Sequence, residues 1–490
     1  MHYEQYKPLR NFLRTRRLGP SFIAIWAAFR KLDGKNHRAG LDQPHLHPLD
    51  WELEILAREV LLHSEHHFSE PINLDNDIVP RGINHIRQFT DKLAAASMSS
   101  HEDVIAAIPS YLHQQLPWQD ENWFGRISRY ARIVNHCSLK RIIENEIKIS
   151  IPDFYALGLA VAGSLAKSPC VDSGNYALTP GIAKGASERF FQLIAEDCTR
   201  LREIILKLQC YDKTWAFTYN PLRGKPLIYH RDAPQKLLGF SQQLLIWRIT
   251  EGLYYDLPRD REDLNKGFGD SFQSYIGDVL LGALPLDTFR IQEEKRFEVA
   301  KGLPRDGADW IVSDATGHVF IECKTKRLTH NAKAEGNSSA MEADVIKLSE
   351  CFVQNYQNIY DARCGANPSF TWRGLPMFNC VVTLENWRIK SPTHQTNLDQ
   401  FIRAGLAKKN ILPSVLNDVP YRLLSAQELE LVAQDTTRHG VVANFALESA
   451  VTRGPYKQLF PSTLPELLPE MSRRGAFTEV TYLAKHHPYE

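Results

Sequence analysis

The sequence predicts an α/β protein in three regions. A large, mainly α N-terminal domain spans 1–260, an α/β core of order αβββαβ spans 265–395, and a small helical C-terminal extension covers 396–490. The core is expected to hold a central mixed sheet flanked by helices. Three observations predict this division. Apolar residues recur at helical spacing from about residue 50 to about residue 255. Leu257–Gly269 (LPRDREDLNKGFG) then interrupts the period with Pro, Gly and a charge run, as a boundary does. Beyond it, short β-rich runs alternate with amphipathic stretches, the texture of an α/β unit.

In chain order, WELEILAREVLL follows Asp50, a candidate N-cap, and places Leu53, Leu56, Ala57, Val60 and Leu61 on one helix face. FYALGLAVAGSLA (Phe154–Ala166) is uncharged but too short to cross a bilayer, and fits a buried helix. SERFFQLIAEDCTRLREIILKL predicts one amphipathic helix through Phe190, Ile194, Leu201, Ile205 and Leu208. LLGFSQQLLIWRITEGL predicts another, more completely buried. Between those two, the aromatic and β-branched residues around Asn220–Pro221 predict a short hairpin or an ordered loop. In the core, DSFQSYIGDVLLGAL predicts a helix, TFRIQEEKRFEV a strand, and ADWIV and HVFIECKTK two more. AKAEGNSSA reads as a loop. MEADVIKLSECFVQNYQNIY is a helix by Val345, Leu348, Phe352, Tyr356 and Ile359, and MFNCVVTL a buried strand. Near the end, Ser425–Glu428 (SAQE) forms a capping box, with Leu424 and Leu429 flanking it as a hydrophobic staple.

With 490 residues the chain exceeds one ordinary core. Its 43 % hydrophobic and 23 % charged content excludes a disordered chain, and no apolar run reaches membrane-spanning length. The N-terminus lacks a continuous apolar segment of the kind a secretory signal needs. Eight cysteines without a CxxC pair argue against a disulfide framework or a zinc ribbon, so a cytoplasmic protein is expected. The net charge of +1 says little, because a nucleic-acid site can be local. The first forty residues hold Lys7, Arg10, Arg14, Arg16, Arg17, Arg30, Lys31, Lys35 and Arg38 against Glu4 and Asp33. They read either as a solvated, partly flexible end or as an arm in which Arg14, Arg16 and Arg17 contact phosphates.

The chemistry concentrates in GADWIVSDATGHVFIECKTKRL, Gly307–Leu328. Strand side chains alternate faces, so Val319, Ile321 and Cys323 share one face while Phe320, Glu322 and Lys324 share the other. SDATGH supplies a turn, with Asp314 and Gly317 at its ends. A hairpin closing there sets Asp309 directly opposite Glu322, and paired residues face the same side of a sheet. Two carboxylates this close repel unless a cation or a proton intervenes. A hard divalent ion such as Mg²⁺ takes such oxygens, keeps several waters and leaves room for a phosphate. Lys324 beside it can orient or help deprotonate an attacking water and offset charge developing at phosphorus. Without the metal, the same residues would be an ordinary surface hairpin with a cross-strand ion pair.

Asp309 followed by Glu322-Cys323-Lys324 on the next strand resembles the PD-(D/E)XK nuclease superfamily, the restriction-endonuclease-like fold. The resemblance covers roughly residues 265–390, and the αβββαβ order agrees with that superfamily's core. It implies that Asp309 and Glu322 are the metal carboxylates, the Cys323 carbonyl a further ligand of Mg²⁺ (or Mn²⁺), and Lys324 the catalytic lysine. Many members carry an acidic residue in the first core helix; here Gln273 stands there, so that ligand is missing or comes from Asp270 nearby. Ala308 replaces the usual Pro. Lys326, Lys347 and Gln354 are transferred as residues facing DNA; the Gln354, Gln357 and Tyr360 spacing departs from that of RecB-like members.

Other clusters point less sharply. His45, His47, His63 and His67 can be gathered around zinc, but HSEHHF reads as solvated helix-end surface. His486-His487 reads as an exposed terminus. Cys323, on the apolar face, reads as a small core residue. Neither GxxxxGK[ST] nor GxGxxG occurs, so no nucleotide motor is encoded. The expected function is metal-dependent hydrolysis of phosphodiester bonds, in DNA rather than RNA on the resemblance, with phage defence or restriction as the setting that analogy suggests. The helical region is expected to bind nucleic acid, sense a trigger, or hold a partner protein or a second copy. The contrasting expectation is a non-catalytic interaction scaffold with a degenerate nuclease fold, which Gln273 favours.

Overall fold

A computed structural model describes residues 2–33, 47–66, 75–98, 100–119, 122–177, 181–258, 261–334, 339–389, 392–446 and 456–474. Lys35, Arg38, His45, His67 and His486-His487 lie outside them. The apolar runs beyond residue 280 join into one five-stranded mixed sheet. Its elements are α1 (Glu262–Ala283), β1 (Arg290–Glu293), β2 (Trp310–Ser313), β3 (His318–Lys324), α2 (Ser339–Arg363), β4 (Met377–Thr383), α3 (Pro392–Lys408), β5 (Tyr421–Ser425) and α4 (Ala426–Phe445). The strand order is β5-β4-β3-β2-β1. β3, β4 and β5 run parallel, while β2 is antiparallel to both β3 and β1. The parallel pairs need long crossovers, which α2 and α3 supply.

Both faces of the sheet are covered, which is why β4 reads as an unbroken apolar run and is buried throughout. On one face Ile311, Phe320 and Val381 pack with Val345, Phe352 and Tyr356 of α2 and Ile402 of α3. On the other, Trp310, Val312, Val319 and Ile321 pack with Tyr275 and Ile276 of α1 and Leu429 of α4. Gly277 permits the contact with β2: a Cβ there would sit 2.2 Å from the Trp310 ring.

The core differs from expectation in three places. TFRIQEEKRFEV is not one strand: β1 ends at Glu293, and Phe297–Ala300 pairs instead with Leu303–Arg305 as a separate hairpin. AKAEGNSSA is not wholly loop, since His330–Ala334 is a short helix. The C-terminal extension is not purely helical or separate, because Tyr421–Ser425 completes the sheet alongside β4. Ser425 does cap α4, accepting from the Glu428 N–H while the Glu428 carboxylate accepts from the Ser425 N–H. α4 breaks at Gly440, and its second part is capped by Asp314 of the β2–β3 turn, which accepts from the Val441 N–H at 2.8 Å.

The N-terminal region is mainly helical but carries a four-stranded sheet built from Cys170–Asp172, Ala195–Asp197, Leu227–His230 and Ala233–Leu238. The expected helix over Ser187–Leu208 is two helices with a strand between, because Asp197 accepts from the Thr199 and Arg200 N–H groups and starts a new one. LLGFSQQLLIWRITEGL likewise divides into strand, helix Gln242–Ile249 and a 3₁₀ segment. In the helix Asp50–His63, Leu49 rather than Asp50 is the N-cap residue, and burial extends around the whole helix to Glu52, Glu54, Arg58 and Glu59. Residues 2–33 are not a loose end: helices Tyr3–Leu13 and Leu18–Asp33 bury Tyr6, Leu9, Phe12, Phe22 and Ile25 in an N-terminal cluster. Ile151–Leu165 is the buried helix expected. Residues 124–165 pack into the same apolar cluster as the sheet, so the core crosses the boundary placed near 260. Among the described residues, no helix is long and apolar enough to cross a membrane.

Candidate active site

The β2–β3 hairpin closes in the register the turn dictates, with Trp310 opposite Ile321, Val312 opposite Val319 and Ser313 opposite His318. Asp314 donates its N–H to the Gly317 carbonyl, and its carboxylate accepts from the Thr316 and Gly317 N–H groups, fixing the turn. Continuing that register brings Asp309 opposite Glu322 just past the end of β2. The Cys323 N–H donates to Asp309 Oδ2 at 2.5 Å rather than continuing the backbone ladder. The N–H and C=O of one strand residue leave on the same edge. The Cys323 carbonyl therefore lies on the edge that faces Asp309.

Glu322 is 1 % exposed. Its Oε1 accepts from Lys324 Nζ at 2.5 Å, while Oε2 is buried with no hydrogen-bond partner. Burial and then the Asp309 charge push the Glu322 carboxyl up to about 8, although Lys324 pulls the other way. Asp309 is raised to about 6, by burial first, against the Cys323 N–H and Lys324. Burial works against the Lys324 charge, but Glu322 and Asp309 outweigh it and raise its pKa. Two acids and one ammonium thus stand together short of one positive charge. Without another cation, burial and mutual repulsion favour a proton held within the Asp309–Glu322 pair.

Among the described residues, no three His, Cys, Asp or Glu side chains form a metal-ligating group. The site offers two carboxylates and a main-chain carbonyl. That set suits a hard ion that completes its shell with water and phosphate. The unpartnered Glu322 Oε2 is the observation that fits such an ion, since a buried carboxylate oxygen left without a partner is costly.

Lys326 and Lys347 lie close enough that Lys347 lowers the Lys326 pKa, after burial. Lys347 is exposed on α2, and Cys351, one turn on, faces Lys324. Gln354 is exposed, and no hydrogen bond or ion pair draws it to the carboxylates; its neighbour Asn355 points inward to the Phe320 carbonyl. Asp270 is exposed on α1, while Gln273 faces the strands. Gln273 Nε2 donates to Glu294 Oε2 at 3.2 Å, and its carbonyl accepts from Trp310 Nε1. Glu294, whose N–H donates to the Asp309 carbonyl at 2.9 Å, raises both Asp309 and Glu322. The sequence hides Glu294 because the RIQEEKRFEV run reads as one strand. No tight turn joins β1 to β2, so the sequence offers no register that would single it out.

Arg14 and Arg17 are exposed, while Arg16 pairs with Asp75 at 3.3 Å and lies over the Phe12 ring. All three lie between the helices Tyr3–Leu13 and Leu18–Asp33, and no ion pair or hydrogen bond joins them to the carboxylates. His63 is not solvated surface: it is 10 % exposed and bonded to Tyr6, and burial lowers its pKa to about 4. Cys323 packs against the apolar layer, and burial raises its thiol pKa well above the usual value.

The exit of β3 is clamped to the N-terminal region. Arg327 pairs with Glu385 at 2.9 Å, donates to the Glu251 carbonyl and lies over the Tyr254 ring. Lys333 holds the other Glu385 oxygen at 3.1 Å, and Trp387 Nε1 donates to the Lys326 carbonyl. Compared with known proteins, the chain matches no family model, no curated protein and no solved structure.

Proposed function

We propose that the chain is a divalent-metal-dependent nuclease whose core resembles the PD-(D/E)XK fold, and that its substrate is DNA. The observation that carries this is the buried Asp309–Glu322 pair with Lys324 against it and Glu322 Oε2 left without a partner. Asp309, Glu322 and the Cys323 carbonyl would hold Mg²⁺ or Mn²⁺. Such an ion, when bound, supplies Lewis acidity and makes water a nucleophile near neutral pH. Lys324 is held cationic by the two carboxylates, so it acts as a charge rather than as a base. It offsets the negative charge that grows on the phosphoryl oxygens during attack, where a fixed cation in a buried site counts most. Glu294 lies behind Asp309 and, through Gln273, ties α1 to the strand that carries it.

A scaffold reading has one observation in its favour, Gln273 standing where a third carboxylate would complete the site. The test is to incubate purified protein with plasmid, linear and single-stranded DNA and with RNA, in Mg²⁺, Mn²⁺ or EDTA. The expected result is metal-dependent cleavage that Lys324→Ala abolishes while folding and nucleic-acid binding persist. No cleavage of any substrate, with Lys324→Ala as functional as the wild type in cells, establishes the scaffold instead.

A further inference from the structure

Glu294 stands in one row with the two carboxylates. The β1–β2 ladder pairs Glu293 with Trp310, and the next residues continue it, the Glu294 N–H donating to the Asp309 carbonyl at 2.9 Å. On the other side of β2, Trp310 lies opposite Ile321, which sets Asp309 opposite Glu322. Both registers, continued by one residue, line up Glu294, Asp309 and Glu322 across three adjacent strands. Beyond Glu322 the row turns apolar, with Val381 on β4 and Leu423 on β5. Glu293 belongs to the neighbouring row, with Trp310 and Ile321, on the other face. Strand alternation thus separates two acids that follow one another in the chain.

The way Glu294 is held leaves its charge available. Just past the end of β1, Gln273 of α1 donates to Glu294 Oε2 at 3.2 Å. An amide is a neutral donor, so it fixes the carboxylate without cancelling it. That charge acts on both Asp309 and Glu322, while Lys324 is the ammonium set against the pair. Three carboxylates and one ammonium leave two negative charges over. A divalent cation balances them, and a single proton does not. The three acids do not converge into one ligand shell. Glu322 Oε2, buried and without a partner, is the oxygen open to an ion, and Glu294 stands one step farther out. A hard ion that keeps several of its waters presents them to oxygens at that remove.

We propose that Glu294 is the outer carboxylate of the metal centre: it accepts hydrogen bonds from ion-bound water and supplies the charge that fits the site to a divalent cation. The inference rests on the reading that Asp309 and Glu322 hold Mg²⁺ or Mn²⁺. It adds a residue outside the motif, on a strand the motif does not include. Gln273 then serves as the donor that holds this carboxylate, not as the mark of a degenerate site.

The test titrates Mn²⁺ alone into the full chain by calorimetry, without nucleic acid. Glu294→Gln keeps the shape of the side chain and should weaken binding about 10- to 100-fold, the usual cost of losing an outer partner of a metal site. Glu293 is exposed on the other face, so Glu293→Gln removes the same charge one residue away and should change affinity less than about 3-fold. Glu294→Gln combined with Gln273→Glu exchanges donor and acceptor across the same hydrogen bond. That double change should bring affinity back to within about 5-fold of the wild type. Unchanged affinity in Glu294→Gln, an equal loss in Glu293→Gln, or a loss that the exchange does not recover overturns the proposal. A wild type that binds no Mn²⁺ ends the metal reading and the proposal together. Binding that Glu322→Gln abolishes and Glu294→Gln leaves intact keeps the metal reading and removes Glu294 from it.

Discussion

Glu322 and Glu385 are both sheltered carboxylates close to the ends of adjacent parallel strands, and the protein treats them in opposite ways. Around Glu385, Lys333 and Arg327 occupy both oxygens; although burial works against its charge, these cations hold its carboxyl at about 2. Around Glu322 a single lysine serves two acids, one oxygen has no partner, and the carboxyl rises to about 8. Glu54, bound through both oxygens by Arg223, follows the Glu385 pattern. Where an acid only holds the fold together, the chain provides its cations. At Glu322 one lysine serves two acids, and such local inconsistency concentrates at functional sites.

The largest expected effect is on cleavage. Glu322→Gln should reduce it by about 10³-fold or more, since a transition-state charge contact and a metal carboxylate are lost together. The same change in metal-free protein should raise stability at pH 8. Glu385→Gln should do the opposite to stability, costing about 3 kcal/mol by leaving Arg327 and Lys333 buried without their anion. Thermal unfolding of both variants with and without Mn²⁺ measures this; equal signs for the two would erase the contrast.

The pH dependence of stability sharpens it. The raised carboxyls of Asp309 and Glu322 keep their protons in the folded state after the unfolded chain has released its own. The contribution of the Asp309–Glu322 pair to metal-free stability should therefore fall as pH rises from about 4 to about 8 and recover on adding Mn²⁺, against the opposite trend of the buried His63. The depressed Glu385 contributes stability above the usual carboxylate range that is lost as pH falls toward 2. Melting curves across that range, for wild type and Glu322→Gln, should differ mainly between pH 5 and 8.

Smaller effects mark the surroundings. Lys326→Ala should weaken cleavage about 2- to 5-fold, through lost phosphate attraction, with no change in metal affinity. Arg14→Ala with Arg17→Ala should lower the salt slope of DNA binding by at most about two units. An unchanged slope leaves those residues as surface of the N-terminal helices.

The carboxylate pair was legible because a two-residue turn and strict strand alternation determine which residues meet across a hairpin, as Asp309 and Glu322 do. The parallel strand β4 was legible because burial on both faces leaves an unbroken apolar run. Less local features were hidden. β5 is hidden because five residues ending in a capping box look like the approach to α4. Nothing nearby reveals that Val381 and Leu423 pair. Glu294 hid in a charge run, where only the third strand's register distinguishes it from Glu293. The clamp of Arg327 on Glu251, Tyr254 and Glu385 joins three distant segments, and a cation at one position carries no mark of its partner elsewhere.

If the Asp309–Glu322 pair holds a divalent cation, binding must displace the proton that its raised carboxyls favour. Titrating Mn²⁺ into the protein at pH 7 by calorimetry, in buffers of different ionisation enthalpy, counts the protons that binding releases. Saturable binding with release of about one proton is expected, both lost in Glu322→Gln and retained in Glu385→Gln after correction for its lower stability. Binding without proton release, or binding that Glu322→Gln leaves unchanged, would contradict it.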